Sequence, residues 1–165
     1  MRVLILSLLI ITGPFALAQR YSVGLATAYG SEIESLGYQF RAYYNIDHKT
    51  CFGPEFTYFP TTSRMHDGVS QDISLTEFNF NGHHHINIGL EKIGVYPLGG
   101  VNYSIESVND DNESAFGFNI GAGLHYSVKK WTIFTEVIHL TGKLSEETYL
   151  IGVFFTPLKS HSRHD

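Results

Sequence analysis

Charge is what this chain has least of. Charged residues make up 16 % of the 165, against roughly 25 % in an ordinary soluble domain, which is too few to clothe a wet surface. There is one cysteine, Cys51. An intramolecular disulfide is therefore excluded, and an exported domain of this size must be held by its core or by its ladder of backbone hydrogen bonds. Basic residues number 11 against 16 acidic ones and form no patch, which argues against nucleic acid as a partner. The apolar run from Val3 to Ile11 is too short to cross a bilayer as a helix.

That run reads as something else. Arg2 precedes it, Gly13-Pro14 ends it, and Ala16-Leu17-Ala18 offers a small-x-small cleavage site, the order of regions in a secretory signal peptide. The expected organisation is a signal peptide over 1–18, one domain over 19–157, and a polar tail over 158–165.

What the chain does have is alternation, and aromatics at 14 % of residues. Between Phe116 and Ser127 the residues sort into Phe116, Phe118, Ile120, Ala122, Leu124 and Tyr126 on one face, and Gly117, Asn119, Gly121, Gly123, His125 and Ser127 on the other. A period of two is a strand. The non-apolar face is small and uncharged, which suits the narrow interior of a barrel better than a solvated sheet. Eight such segments follow the leader: Tyr21–Gly30, Leu36–Ile46, Phe52–Pro60, Ser74–Asn87, Ile93–Ser107, Ser114–Ser127, Trp131–Leu140 and Glu146–Pro157. Tight turns fall at Asp47–Thr50, Gly89–Lys92 and Val128–Lys130. Longer loops fall at Thr61–Gln71 and Val108–Glu113, and shorter ones at Ser31–Ser35 and Thr141–Ser145. The expected fold class is all-β, an eight-stranded antiparallel up-and-down transmembrane β-barrel with both termini at the periplasmic end.

If the apolar set faces lipid, aromatics belong at the two interfaces. Tyr21, Tyr44, Tyr126, Trp131 and Phe155 fall near the periplasmic ends, and Tyr29, Phe78, Tyr103, Phe116 and Tyr149 toward the outer ends. Val23, Ala42, Val95, Ile120, Ile133 and Val153 lie between.

With its signal peptide, its eight segments, and stretches such as Phe52-Gly53-Pro54-Glu55-Phe56-Thr57-Tyr58 and Tyr96-Pro97-Leu98-Gly99-Gly100-Val101-Asn102-Tyr103, the chain resembles the small outer-membrane β-barrel proteins of the OmpA-transmembrane-domain and OmpX-like type. The resemblance implies a bacterial outer-membrane location, contact with outer-membrane lipid and lipopolysaccharide, and insertion by the barrel-assembly machinery. It implies no catalytic activity and no cofactor. Two departures stand out: Pro54 and Pro97 lie inside strands, where each removes a ladder donor, and Thr156-Pro157 and a polar tail follow the last aromatic.

The inward set carries Gln39, Arg41, Tyr43, Glu55, Thr57, Glu77, Asn79, Asn81, His83, His85, Phe134 and Glu136. An eight-stranded barrel is just wide enough for side chains to fill. The expectation is a charge-paired plug rather than a pore, with Arg41 bridged to Glu55 and Glu136, and Glu77 nearer the outer end. Metal binding is not expected of His83-His84-His85. His84 must point away from the other two, His83 and His85 sit about 7 Å apart at roughly 3.3 Å per residue, and a site would need His125 or a carboxylate to complete it.

Asn109-Asp110-Asp111-Asn112-Glu113 reads as a solvated turn more than a calcium loop. For a lipid A deacylase, His125, Ser127 and Glu136 lie on the wrong side and at the wrong end, and His139 with Ser145 is a weak pair. The expected role is structural or adhesive, with loop 61–71 as the contact surface for an extracellular partner. The alternatives are a secreted, lipocalin-like barrel with its apolar set turned inward around a small hydrophobic ligand, and an outer-membrane lipid-modifying enzyme.

Overall fold

The computed structural model describes residues 20–66, 69–109 and 111–156; the expected leader and polar tail lie outside them. The described residues form nine strands: β1 (Tyr21–Gly30), β2 (Ser35–Asn45), β3 (Thr50–His66), β4 (Val69–His84), β5 (Ile86–Asn87), β6 (Ile93–Val108), β7 (Asp111–Val128), β8 (Trp131–Gly142) and β9 (Glu146–Phe155). All pairings are antiparallel and join chain neighbours, except that β1 also pairs with β9 and β4 pairs with β6 across the two-residue β5. Because β4 pairs with β6 as well as β3, the sheet closes on itself.

The irregularities in the ladder fall at the three strand prolines, Pro54, Pro60 and Pro97. Opposite Pro97, the β4 pairing ends at His83↔Leu98 and resumes in β5 at Ile86↔Val95, with the register unchanged across the gap. Lacking an N–H, Pro97 offers no donor there, so β4 and β5 are one stave interrupted at His85, and the barrel has eight staves. The backbone N–H of His85 is satisfied instead by the Lys49 carbonyl at 2.6 Å. Pro54 has the same effect between Arg41↔Glu55 and Tyr44↔Phe52, again without a change of register.

Two expected loops are largely strand. Thr61–Gln71 and Val108–Glu113 pair as hairpins, Arg64 with Gln71 and Ser107 with Asn112 among others. The expected end of the third segment at Pro60 marks a bulge, since the register shifts between Phe59 and Thr62 and the strand then runs on to His66. A proline interrupts a ladder without ending a strand when a bulge absorbs it. Staves therefore differ in height: β3, β4, β6 and β7 have 17, 16, 16 and 18 residues, and β1, β2, β8 and β9 have 10, 11, 12 and 10.

Faces follow the alternation. In β1 the pattern is strictly exposed then buried, with Leu25 63 % exposed and Ala28 fully buried. In β7, Phe116, Phe118, Ile120, Leu124 and Tyr126 point outward and Asn119 inward. Outward aromatics touch in runs around the rim that holds the described chain ends: Tyr21 on Tyr44, Tyr44 on Phe52, Phe52 on Phe80, and Trp131 on Phe155. Toward the far rim Phe56 packs on Phe78 and Tyr103 on Phe116, with Phe78 paired to Tyr103 and Tyr29 to Tyr149. Val23, Ile120, Ile133 and Ile151 lie between and are exposed. A barrel with its apolar set outside and its charges inside is the reverse of a lipocalin-like arrangement, which needs the apolar face around the cavity.

Candidate functional site in the barrel lumen

Three layers of side chains lie across the barrel interior, and the layer nearer the ends of the described chain is charged. Arg41 is fully buried. Its Nη1 donates to Glu136 Oε1 at 2.7 Å and its Nη2 to Oε2 at 2.9 Å, a bidentate pair across the lumen, while Nε donates to Gln39 Oε1 at 2.8 Å. Glu55, the register partner of Arg41 on β3, stands farther off at 4.0 Å from Nη2. Its oxygens accept from the Tyr43 hydroxyl and from Gln39 Nε2, and the Tyr43 hydroxyl also meets His83 Nε2 at 2.9 Å. Three aromatic rings flank the guanidinium, Phe134 at 4.5 Å, Phe154 at 5.4 Å and Tyr43 at 5.9 Å from its carbon. A buried cation is tolerated only when paired and fully hydrogen-bonded, and this shell does both.

Tyr96 completes the layer, and the inward residues singled out from sequence did not include it. Its hydroxyl donates to Glu136 Oε1 at 2.6 Å. The ring reaches that far because Gly123, the register partner of Glu136, has no side chain: a Cβ at Gly123 would lie 2.3 Å from Tyr96 Cζ. Gly24, the register partner of Arg41, likewise leaves room for Phe154 and the Arg41 stem, which a Cβ would meet at 2.7 and 3.1 Å. The signal available in sequence was a bulky Tyr at an inward parity of β6 beside a glycine-rich inward face of β7.

Above it lies an amide layer. Asn79 Oδ1 accepts from Asn102 Nδ2 at 2.7 Å and from Asn119 Nδ2 at 2.8 Å, Asn119 Nδ2 also reaches Asn81 Oδ1 at 2.8 Å, and Ser104 Oγ donates to Asn102. Glu77 points into the lumen and is buried, but the structure does not bring it to Arg41, and among the described residues it has no cationic partner. The far mouth is apolar: Ala28, Ile33, Phe59, Leu75 and Leu150 are buried in one cluster. Ile33 comes from the β1 to β2 turn, which Glu146 ties down by accepting the Glu32 and Ile33 N–H groups at 2.8 and 3.1 Å.

The remaining candidates are dispersed. The girdle residues Tyr21, Tyr29, Tyr44, Tyr103, Phe116, Tyr126, Trp131, Tyr149 and Phe155 all sit on the outer face. Ser127 bonds Thr132, His125 bonds His85, and Glu136 is taken by Arg41 and Tyr96, so no Ser, His and carboxylate relay is assembled from them. Ser145 donates to the Leu140 carbonyl, and His139 faces Glu147 at 3.9 Å. Asp111, Asn112 and Glu113 are strand residues paired with Val108, Ser107 and Glu106.

No family model matches the chain, and no curated protein matches it. Solved structures do. The N-terminal barrel domain of Pseudomonas aeruginosa OprF aligns at a TM-score of 0.58 and 16 % identity, over 81 % of this chain and 96 % of that one. Neisserial surface protein A aligns at 0.61 and 12 % identity, over 83 % and 96 %. Ail, the attachment invasion locus protein of Yersinia pestis, aligns at 0.55 and 15 % identity, over 82 % and 95 %. The fold of this chain is that of the small, closed, eight-stranded antiparallel barrels.

Proposed function

We propose that this chain is a bacterial outer-membrane barrel that does not conduct and that works through the surface it lifts beyond the membrane, in an adhesive role. The outward apolar band bounded by two aromatic rims supports the membrane reading, and the side-chain layers across the lumen support the closed one. The observation that carries the adhesive role is the unequal height of the staves. The last β7 to β8 pair is Gly117↔Gly142, yet β7 continues to Asp111 paired with β6 alone; six further residues at about 3.3 Å each reach roughly 20 Å beyond the short staves. On the other flank β2 leaves β3 after Tyr38↔Tyr58, while β3 continues to His66 paired with β4 alone. A four-stranded sheet thus stands above the rim, with both edges unpaired by backbone among the described residues, and such edges accept an added strand from an extended partner segment. Ail, whose name records attachment and invasion, shares the fold.

The test uses the full chain and a variant whose two tall hairpins are cut back to turns at the level of Tyr58 and Gly117. Both should fractionate with the outer membrane and migrate faster on SDS gels unheated than boiled. Only the full chain should promote attachment of the bacteria to a host-cell layer. Equal attachment by the two would leave a purely structural role, and recovery of the folded chain from the soluble periplasm would overturn the membrane reading.

A further inference from the structure

At the barrel mouth beside the β2 to β3 turn, two histidines from opposite sides of the Pro97 interruption meet outside the lumen network. His85 sits in the break between β4 and β5, and His125 lies on β7. Their Nδ1 atoms are 3.3 Å apart and their rings are crossed at 77°. Two imidazole nitrogens bound to one tetrahedral ion at 2.0–2.1 Å stand about 3.3 Å apart, so the pair already holds the bite of a chelate. The fold makes space for it: a Cβ at Gly94 would lie 2.6 Å from His125 Cε1. His83, by contrast, is committed to Tyr43 and Glu55 in the lumen.

We infer that His85 and His125 form a binding site for a borderline divalent transition-metal ion, open to the periplasm in the membrane orientation given above. The pair opens on a cleft of about 270 Å3 that His48 and Ser127 also line, with Lys49, Glu91 and Lys92 exposed around it. Among the described residues no set of three or more His, Cys, Asp or Glu is arranged around an ion. The protein therefore supplies two nitrogens and solvent supplies the rest, which makes the ion exchangeable rather than structural. Imidazole donors without a carboxylate select copper, zinc or nickel over magnesium or calcium. The Cys51 thiol lies 4.0 Å from the opposite ring nitrogen of His85, Nε2, so it braces the ring and stays out of the coordination set. Binding through both Nδ1 atoms takes each ring as the neutral tautomer with its proton on Nε2, so a proton lying between the two Nδ1 atoms moves to Nε2 of its own ring and the ion takes its place.

The experiment titrates the folded, untagged barrel in detergent micelles with Zn2+ by calorimetry and with Cu2+ by electron paramagnetic resonance. One ion should bind per barrel, with the Cu2+ spectrum showing two equivalent nitrogens. His85→Gln or His125→Gln should each weaken binding at least tenfold, while His139→Gln at the other end leaves it unchanged. Unheated gel migration confirms that each variant is folded. Retention of wild-type binding by the H85Q/H125Q double variant would overturn the site, as would failure of the wild type to bind Zn2+ stoichiometrically below about 1 mM.

Discussion

Arg41 and Glu136 are joined by two parallel hydrogen bonds, 2.7 and 2.9 Å long, with neither side chain exposed. They come from β2 and β8, so the pair ties together staves that share no ladder. Removing one member of a buried pair strands the other, at about 3–5 kcal/mol, whereas replacing both by apolar groups of similar size is close to neutral. Arg41→Met and Glu136→Gln should each lower the unfolding free energy by about that amount, and R41M/E136L should be more stable than R41M alone. Urea unfolding in lipid vesicles, followed by the fluorescence of the one tryptophan, Trp131, measures all four. Additive losses in the double variant would show that the two groups act separately.

Gly123 and Tyr96 make a second coupled pair. Since a Cβ at position 123 would overlap the Tyr96 ring, Gly123→Ala should push that ring off Glu136 and cost about 1–3 kcal/mol, the usual penalty of overpacking. Combined with Tyr96→Leu, the same substitution should cost much less, because the clash has gone with the ring. A cost of Gly123→Ala that is the same in both backgrounds would assign it to β7 itself rather than to the lumen.

Period-two alternation made the barrel legible, and legibility stopped where the ladder stopped being regular. The faces of β1, β7 and β8 can be read residue by residue, because a strand with lipid on one side and a filled lumen on the other leaves no position ambiguous. The placement of Arg41 beside Glu55 follows from equal distances to one turn. The closer approach of Arg41 to Glu136 depends on which small residues lie between them in space, and Gly24 and Gly123 act there from strands distant in sequence. The height of the protruding sheet was hidden for another reason. Thr61–Gln71 and Val108–Glu113 hold only Met65, Val69 and Val108 as apolar residues, and a segment with so few carries no alternation to read.

Two layers of different chemistry lie across the lumen, the Arg41 layer and the apolar far mouth where Ile33 and Phe59 are buried, and on the closed-barrel proposal each is a barrier. Glu146 holds the second in place through the β1 to β2 turn. Wild-type protein in planar bilayers should carry no steady current. Opening the far mouth alone, with I33G/F59A/E146A, or the charged layer alone, with R41A/Y96A, should leave conductance near zero, and only the combined variant should pass ions. Current through either partial variant would show that a single layer forms the seal.

The outward face makes its own prediction, which depends on depth. Leu25 lies midway along β1 and is 63 % exposed, while Tyr21 begins the strand at 48 %. A lysine at the bilayer midplane of a barrel costs about 2–4 kcal/mol, and near the interface about 0–1. Leu25→Lys should therefore destabilise the protein folded in phosphatidylcholine vesicles several times more than Tyr21→Lys, even though both place a charge on the same face of the same strand. The gap should close in thinner bilayers, where position 25 lies nearer headgroups. In a barrel surrounded by water, Leu25→Lys would be neutral or would improve solubility, so equal costs at the two positions would count against lipid as the solvent of this surface.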